Sequence, residues 1–296
     1  MVYTHNRIDD ARINLEIIRN VWPESEMLKN AVIVHSFNGY SQWWPQKYIE
    51  NELLYLENPG HYGGAAILLD KGIECFAEKY PDTDYVITLA SDTWCVRPEY
   101  LEKVIRAMRD AGKYLAACSW GEKKGADPFR TGMSLDFNIV DLKWAVRYGF
   151  FPLRYQEFSS RYSEVFSYED KDIHPELVFA LRFKQAINKT ILMPSENLGK
   201  EVALEHIYRM AEREPVHLRK PILGLFGGTV RKMYWRKIGL ITHHDPVQKR
   251  AAAKKWDLKL GNYGNRFLEA KDLGYYNGGF TKTAYTKNGK MIHYND

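Results

Sequence analysis

"TDYVITLASDTWCVRPEYLEKVI", Thr83 to Ile105, is a nearly unbroken apolar strand that halts at Ser91-Asp92-Thr93 and resumes at Pro98 as a helix. Runs of this kind belong to strands buried on both faces, the mark of a parallel sheet covered by helices. Asp92 does not fit inside such a strand, because an ionised carboxylate taken from water without compensation costs on the order of several kcal/mol. It therefore belongs just past the strand. It is also too far from Pro98 to cap the helix there, since an N-cap side chain reaches only the second or third residue onward. That leaves the carboxyl end of a strand, the place where open α/β sheets bind their ligands.

The same alternation extends in both directions. Val2 to Thr4 predicts a first strand, and Asp9 to Asn20 a helix with Ile13, Ile17 and Val21 on one face. Ala31 to His35 reads as a second strand, Trp43 to Tyr55 as helical, and Gly63 to Tyr80 as a helix opening from a Gly-rich loop. Beyond the central strand come a helix at Pro98–Ala111, a strand at Tyr114–Trp120, a polar loop from Gly121 and a strand at Ser134–Leu142. An amphipathic helix follows at His174–Ala186, then a strand at Lys189–Pro194. The expected fold class is α/β, a mostly parallel Rossmann-like sheet flanked by helices, over residues 1–200. Residues 201–296 form a basic, aromatic C-terminal extension expected to pack on the site.

Composition narrows the function. The formal charge of +5 is mild. It suits an anionic ligand or a peripheral contact with a membrane surface and does not call for nucleic acid. Cys75, Cys95 and Cys118 lack metal-type spacing and read as small reduced hydrophobes in a cytoplasmic setting. No apolar run approaches the roughly 20 residues of a membrane span, and the start, "MVYTHNRIDD", does not read as a signal peptide.

Four stretches occur in an order that resembles a known family. "YTHNR" (Tyr3–Arg7), "ENPGHYGG" (Glu57–Gly64), the Asp92 strand and "HPELVFALRF" (His174–Phe183) are similar to the successive motifs of GT-A fold glycosyltransferases of the family-2 type. The resemblance covers roughly residues 1 to 195. It implies an inverting transfer of a single sugar from a UDP- or GDP-sugar to a hydroxyl of a glycan or glycolipid acceptor, as in polysaccharide biosynthesis. It also implies a divalent metal, Mn2+ or Mg2+. Processive synthases of this fold carry membrane helices and a Gln-x-x-Arg-Trp motif, and this sequence has neither.

The resemblance assigns residues as well. Asp92 aligns with the last carboxylate of the family's Asp-x-Asp and would contact the metal, while Ala90 stands where the first carboxylate is expected. His243 and His244, in "THHDP", are the further metal candidates, and ordinary surface is the alternative for both. Thr4, Asn6 and Arg7 would lie under the nucleotide base. Asn58, Gly60, Gly63 and Gly64 would let the backbone approach the nucleotide, with a plain turn and helix start as the alternative. Ser91 borders the donor beside Asp92. Trp94, with Trp120 behind it, would stack on a sugar face. Where the family has an Asp after its second strand, this chain has His35-Ser36-Phe37-Asn38, so recognition of uracil by that carboxylate is lost.

Glu176 aligns with the catalytic carboxylate that deprotonates the acceptor hydroxyl. Complementing the helix N-terminus would explain its position equally well, and Glu169 and Asp170 are the reserve candidates. Competing readings are a sugar-phosphate nucleotidyltransferase and a nucleotide- or carbohydrate-binding homologue of weak activity. The first lacks its Gly-rich loop after strand one, and the second is favoured by Ala90.

Overall fold

The computed structural model describes residues 1–5, 8–39, 41, 44–56, 62–110, 112–119, 133–157, 175–191, 240–241, 281–285 and 291–295. In chain order these form β1 (Val2–His5), α1 (Ile8–Asn20), β2 (Val34–Asn38), β3 (Glu52–Leu56), α2 (Tyr62–Lys79), β4 (Tyr85–Ala90), β5 (Trp94–Cys95) and α3 (Pro98–Asp110). There follow β6 (Leu115–Ser119), β7 (Met133–Asp141), α4 (Leu142–Arg147), α5 (Pro175–Ile191), β8 (Leu240–Ile241), β9 (Thr281–Tyr285) and β10 (Met291–Asn295). A six-stranded sheet runs in the order β3-β2-β1-β4-β7-β6. Its strands β1 to β4 are parallel, while β6 and β7 are antiparallel. The expected α/β class, a mostly parallel sheet flanked by helices, is observed.

The chain forms two compact units, each built from separated segments. One comprises Met1–Asn58, Leu89–Glu102 and Lys232–Asp296; the other comprises Pro59–Thr88 and Lys103–Arg231. The division expected at residue 200 lies outside the described residues.

In the first unit, α1 buries the face that its periodicity marks: Ile13, Ile17 and Val21 are each at most 2% exposed. Burial of such a side chain stabilises by about 1.5–3 kcal/mol. Two elements depart from expectation. β2 begins at Val34, three residues later than expected, and continues through Ser36 and Asn38. The apolar signal stops early because this strand buries polar residues against one another. His35 Nε2 lies 2.8 Å from Thr4 Oγ1, and Asn38 Nδ2 lies 3.0 Å from His5 Nδ1.

The described part of Trp43–Tyr55 is not helical. The carboxylate of Glu50 accepts from the Trp44 indole N–H and from the backbone N–H groups of Tyr48 and Ile49, each at 2.9 Å. These bonds fold a turn that delivers Glu52–Leu56 as the edge strand β3 in register with β2.

His35 and Glu50 make a buried pair, with His35 Nδ1 3.7 Å from Glu50 Oε1. Burial lowers the His35 pKa below its ordinary value and outweighs the opposing pull of Glu50. Burial pushes the Glu50 carboxyl up, but its pairing with His35 and the hydrogen bonds it accepts from backbone N–H groups prevail and hold it at about 2. Both folded-state values lie below the unfolded ones, so both groups add stability at neutral pH that is lost on acidification. His35 contributes the loss that begins as pH falls below about 6.5, and Glu50 contributes the loss from about 4.5 downward. Thermal melts from pH 7.5 to 4 should show a steady fall in Tm, and His35→Gln should flatten its upper part. An unchanged slope in that variant would contradict the assignment.

In the second unit, Asp141 caps α4 by accepting from Trp144 N at 2.8 Å. Trp144 then joins Phe150, Phe179 and Phe183 in an aromatic core. α5 runs to Ile191, so Lys189–Ile191 is helical where the sequence suggested a strand. β-branched residues such as Thr190 and Ile191 favour strands in isolation, but each residue added to a formed helix gains a backbone hydrogen bond. Arg182 ties α5 to the preceding loop by donating to the carbonyls of Gly149 and Pro152. Asp70 of α2 accepts from Leu153 N at 2.5 Å and Arg154 N at 3.3 Å, bracing Arg154 at a φ of 54°. Burial pushes the Asp70 carboxyl up to about 6.

Candidate functional site

β1 has β2 on one side and β4 on the other, so the sheet reverses its build direction between β1 and β4. In an open parallel sheet, the carboxyl ends of the two strands flanking such a reversal border the ligand crevice. Here those ends are held level: Tyr3 pairs with Ala90, and Ser91 N donates to Tyr3 O at 2.9 Å. The chain then makes a tight turn, closed by Thr93 N donating to Ala90 O at 2.9 Å, and Asp92 sits within it.

Three side chains grip this turn and the short strand after it. Asn14 Nδ2 faces the carbonyls of Ala90, Ser91 and Thr93 at 3.1, 3.2 and 3.0 Å. Trp94 Nε1 donates to Asp10 O at 3.3 Å, and Trp22 Nε1 donates to Cys95 O at 3.0 Å. β5 also pairs with β8, Trp94 with Ile241 and Cys95 with Leu240. Leu240 and Ile241 thereby lie beside the short strand that follows the Asp92 turn.

The expected site residues divide accordingly. Asp92 and Ser91 lie at the strand mouth, 5% and 4% exposed. Thr4 does not present its hydroxyl to a ligand: it is fully buried, and that hydroxyl is bonded to His35, so it braces β1 against β2. Trp94 is likewise no stacking platform, because its ring is fully buried and its N–H is directed at Asp10 O. Gly63 and Gly64 fall in the first turn of α2 and not in a loop. Glu176, 7% exposed, follows Pro175 in the first turn of α5 and belongs to the second unit. Asn6, Arg7, Asn58, Gly60, His243 and His244 lie outside the described residues, as do Trp120, Glu169 and Asp170.

Close backbone approach at Gly63 has a direct test. Among the described residues a Cβ there would meet the Tyr155 ring, at 3.4 Å. Gly63→Ala should therefore fold and gain about 0.5 kcal/mol from reduced unfolded-state entropy, read in a denaturant melt. A weaker hold on nucleotide in that more stable variant would mark Gly63 as a contact. Equal affinity would make it a helix residue only.

His5 and Asn14 were missed in the sequence. His5 is half-buried at the end of β1. With the Asn38 amide nitrogen donating to its Nδ1, the neutral ring carries its proton on Nε2. The only available signal for either residue was a polar side chain on a buried stripe.

Among the described residues no three His, Cys, Asp or Glu side chains converge as a cation site. Mg2+-type cations often take one or two protein carboxylates and complete their shell with substrate phosphates and water. Asp92 suits that partial role. No described helix is long and apolar enough to cross a membrane. Compared with protein-family models the chain matches none, and no curated protein matches it.

Proposed function

We propose that the chain is a GT-A-type glycosyltransferase that moves a single sugar from a nucleotide sugar to a hydroxyl of a glycan or glycolipid acceptor. The observation that carries this reading is the position of Asp92. It is a carboxylate on a braced turn at the carboxyl end of β4, at the reversal point beside β1, with β8 paired alongside. A diphosphate leaving group needs its charge neutralised. Asp92 would hold a Mn2+ or Mg2+ ion, with His243 or His244 as the further ligand, and the bound ion would supply that neutralisation. His5 and Asn38, polar and adjacent at the ends of β1 and β2, are suited to hydrogen-bonding the nucleoside. Glu176 is the proposed base for the acceptor hydroxyl, and its removal of the proton would leave inversion at the anomeric carbon as the expected outcome.

A second reading keeps the nucleotide site and drops the chemistry. It is favoured by Ala90, which leaves one carboxylate where the family resemblance leads one to expect two. Release of UDP or GDP from a panel of nucleotide sugars, with and without Mn2+, separates the two. Metal-stimulated release that rises with an added glycan acceptor supports the transferase, whereas tight binding without release supports the binding protein.

A further inference from the structure

We propose that Asn14 is the positioning residue of the Asp92 turn, setting the direction of the Asp92 carboxylate and through it the affinity for the diphosphate of the donor. This rests on Asp92 being the donor-site carboxylate. The side-chain atom of Asn14 that faces three carbonyl oxygens must be the amide nitrogen, since the oxygen has no hydrogen to give. Its two hydrogens serve three acceptors, so at least one is shared. The acceptors lie on both sides of Asp92: Ala90 and Ser91 before it, Thr93 after it. Holding the carbonyls on both sides restrains the backbone dihedrals that set the direction in which the Asp92 side chain leaves the turn. The indole contacts of Trp22 and Trp94 hold the chain only downstream of Asp92, whereas the Asn14 amide holds it on both sides.

Asn14 is fully buried in the stripe of α1 that also buries Ala11, Ile17 and Ile18. Its Oδ1 is buried with no hydrogen-bond partner among the described residues. A buried acceptor without a partner is destabilising, but an apolar residue of similar size would take the amide donor away from the carbonyls of Ala90, Ser91 and Thr93. What the amide supplies is its nitrogen, held against the carbonyls on both sides of Asp92.

The test uses the full chain and compares Asn14→Ala with Ile17→Val, a change on the same helix that leaves the turn's hydrogen bonds in place. Backbone hydrogen exchange at Ser91 and Thr93 reads the turn, and titration with UDP and with GDP, each with Mn2+, reads the site. We expect exchange at these two amides to quicken about tenfold or more in Asn14→Ala, and the Kd of whichever nucleotide the wild type binds to rise about tenfold. Ile17→Val should change neither selectively. Should Asn14→Ala not fold, Asn14→Ser, which keeps one donor on a shorter stem, carries the same comparison with a smaller effect. Exchange that matches the Ile17→Val control, or an unchanged Kd, overturns the positioning role. Selective exchange in a chain whose wild type binds neither nucleotide leaves Asn14 as the turn's positioning residue and overturns the donor-site reading instead.

Discussion

Asp92→Asn is expected to abolish sugar transfer while the protein still melts cooperatively near the wild-type temperature. The substitution keeps the volume of a residue that is 5% exposed and removes only its charge. The turn is closed by backbone bonds and by Asn14, none of which uses the Asp92 carboxylate. A neutral amide at this position binds a hard divalent cation weakly, and charge stabilisation of a leaving group is worth about 3–4 kcal/mol, or 10²–10³-fold, in comparable sites. Turnover and Tm measured together decide the matter. Wild-type turnover would remove Asp92 from the chemistry, and loss of the cooperative melt would make its role structural.

Glu176→Gln should lower kcat by about 10²–10⁴-fold with little change in donor affinity, because positioned proton removal contributes about 3–5 kcal/mol of barrier reduction. Its setting permits a second role. Glu176 follows Pro175 in the first turn of α5, where an acidic side chain complements the exposed backbone N–H groups. That role is worth only about 0.3–1 kcal/mol and predicts an active, slightly less stable enzyme. The kcat of this one variant separates the two. A selective kcat loss in Glu169→Gln or Asp170→Asn, with Glu176→Gln active, would move the base to that pair.

The parts of the fold that could be read from the sequence are those in which one physical signal dominates. α1, α2 and α3 carry helical periodicity, and β4 is apolar apart from Thr88, so the halt at Asp92 was visible in the sequence itself. β2 was misplaced because the partners that its polar residues do find are remote in sequence: Thr4 for His35 Nε2, Glu50 paired with the His35 ring, and His5 for the Asn38 amide nitrogen. Local patterning cannot contain those pairs. The Trp43–Tyr55 stretch looked helical until the Glu50 carboxylate was seen to hold a turn together. Trp94 and Thr4 illustrate the same limit at the site. Residue type suggested ligand contact, whereas the direction of each side chain, set by Asp10 O and by His35, assigns both to the frame.

The central claim, that the edge shared by β1 and β4 binds a nucleotide sugar through Asp92, is tested most directly by thermal stabilisation with a panel of UDP- and GDP-sugars, with and without Mn2+. A ligand at a hundred times its Kd stabilises by about 2.7 kcal/mol, which for a chain of this size raises Tm by about 4 °C. The account predicts such a shift for at least one nucleotide sugar in the wild type, larger with Mn2+ and absent in Asp92→Asn. A panel that leaves the wild-type Tm unmoved, or a shift that survives intact in Asp92→Asn, would contradict it.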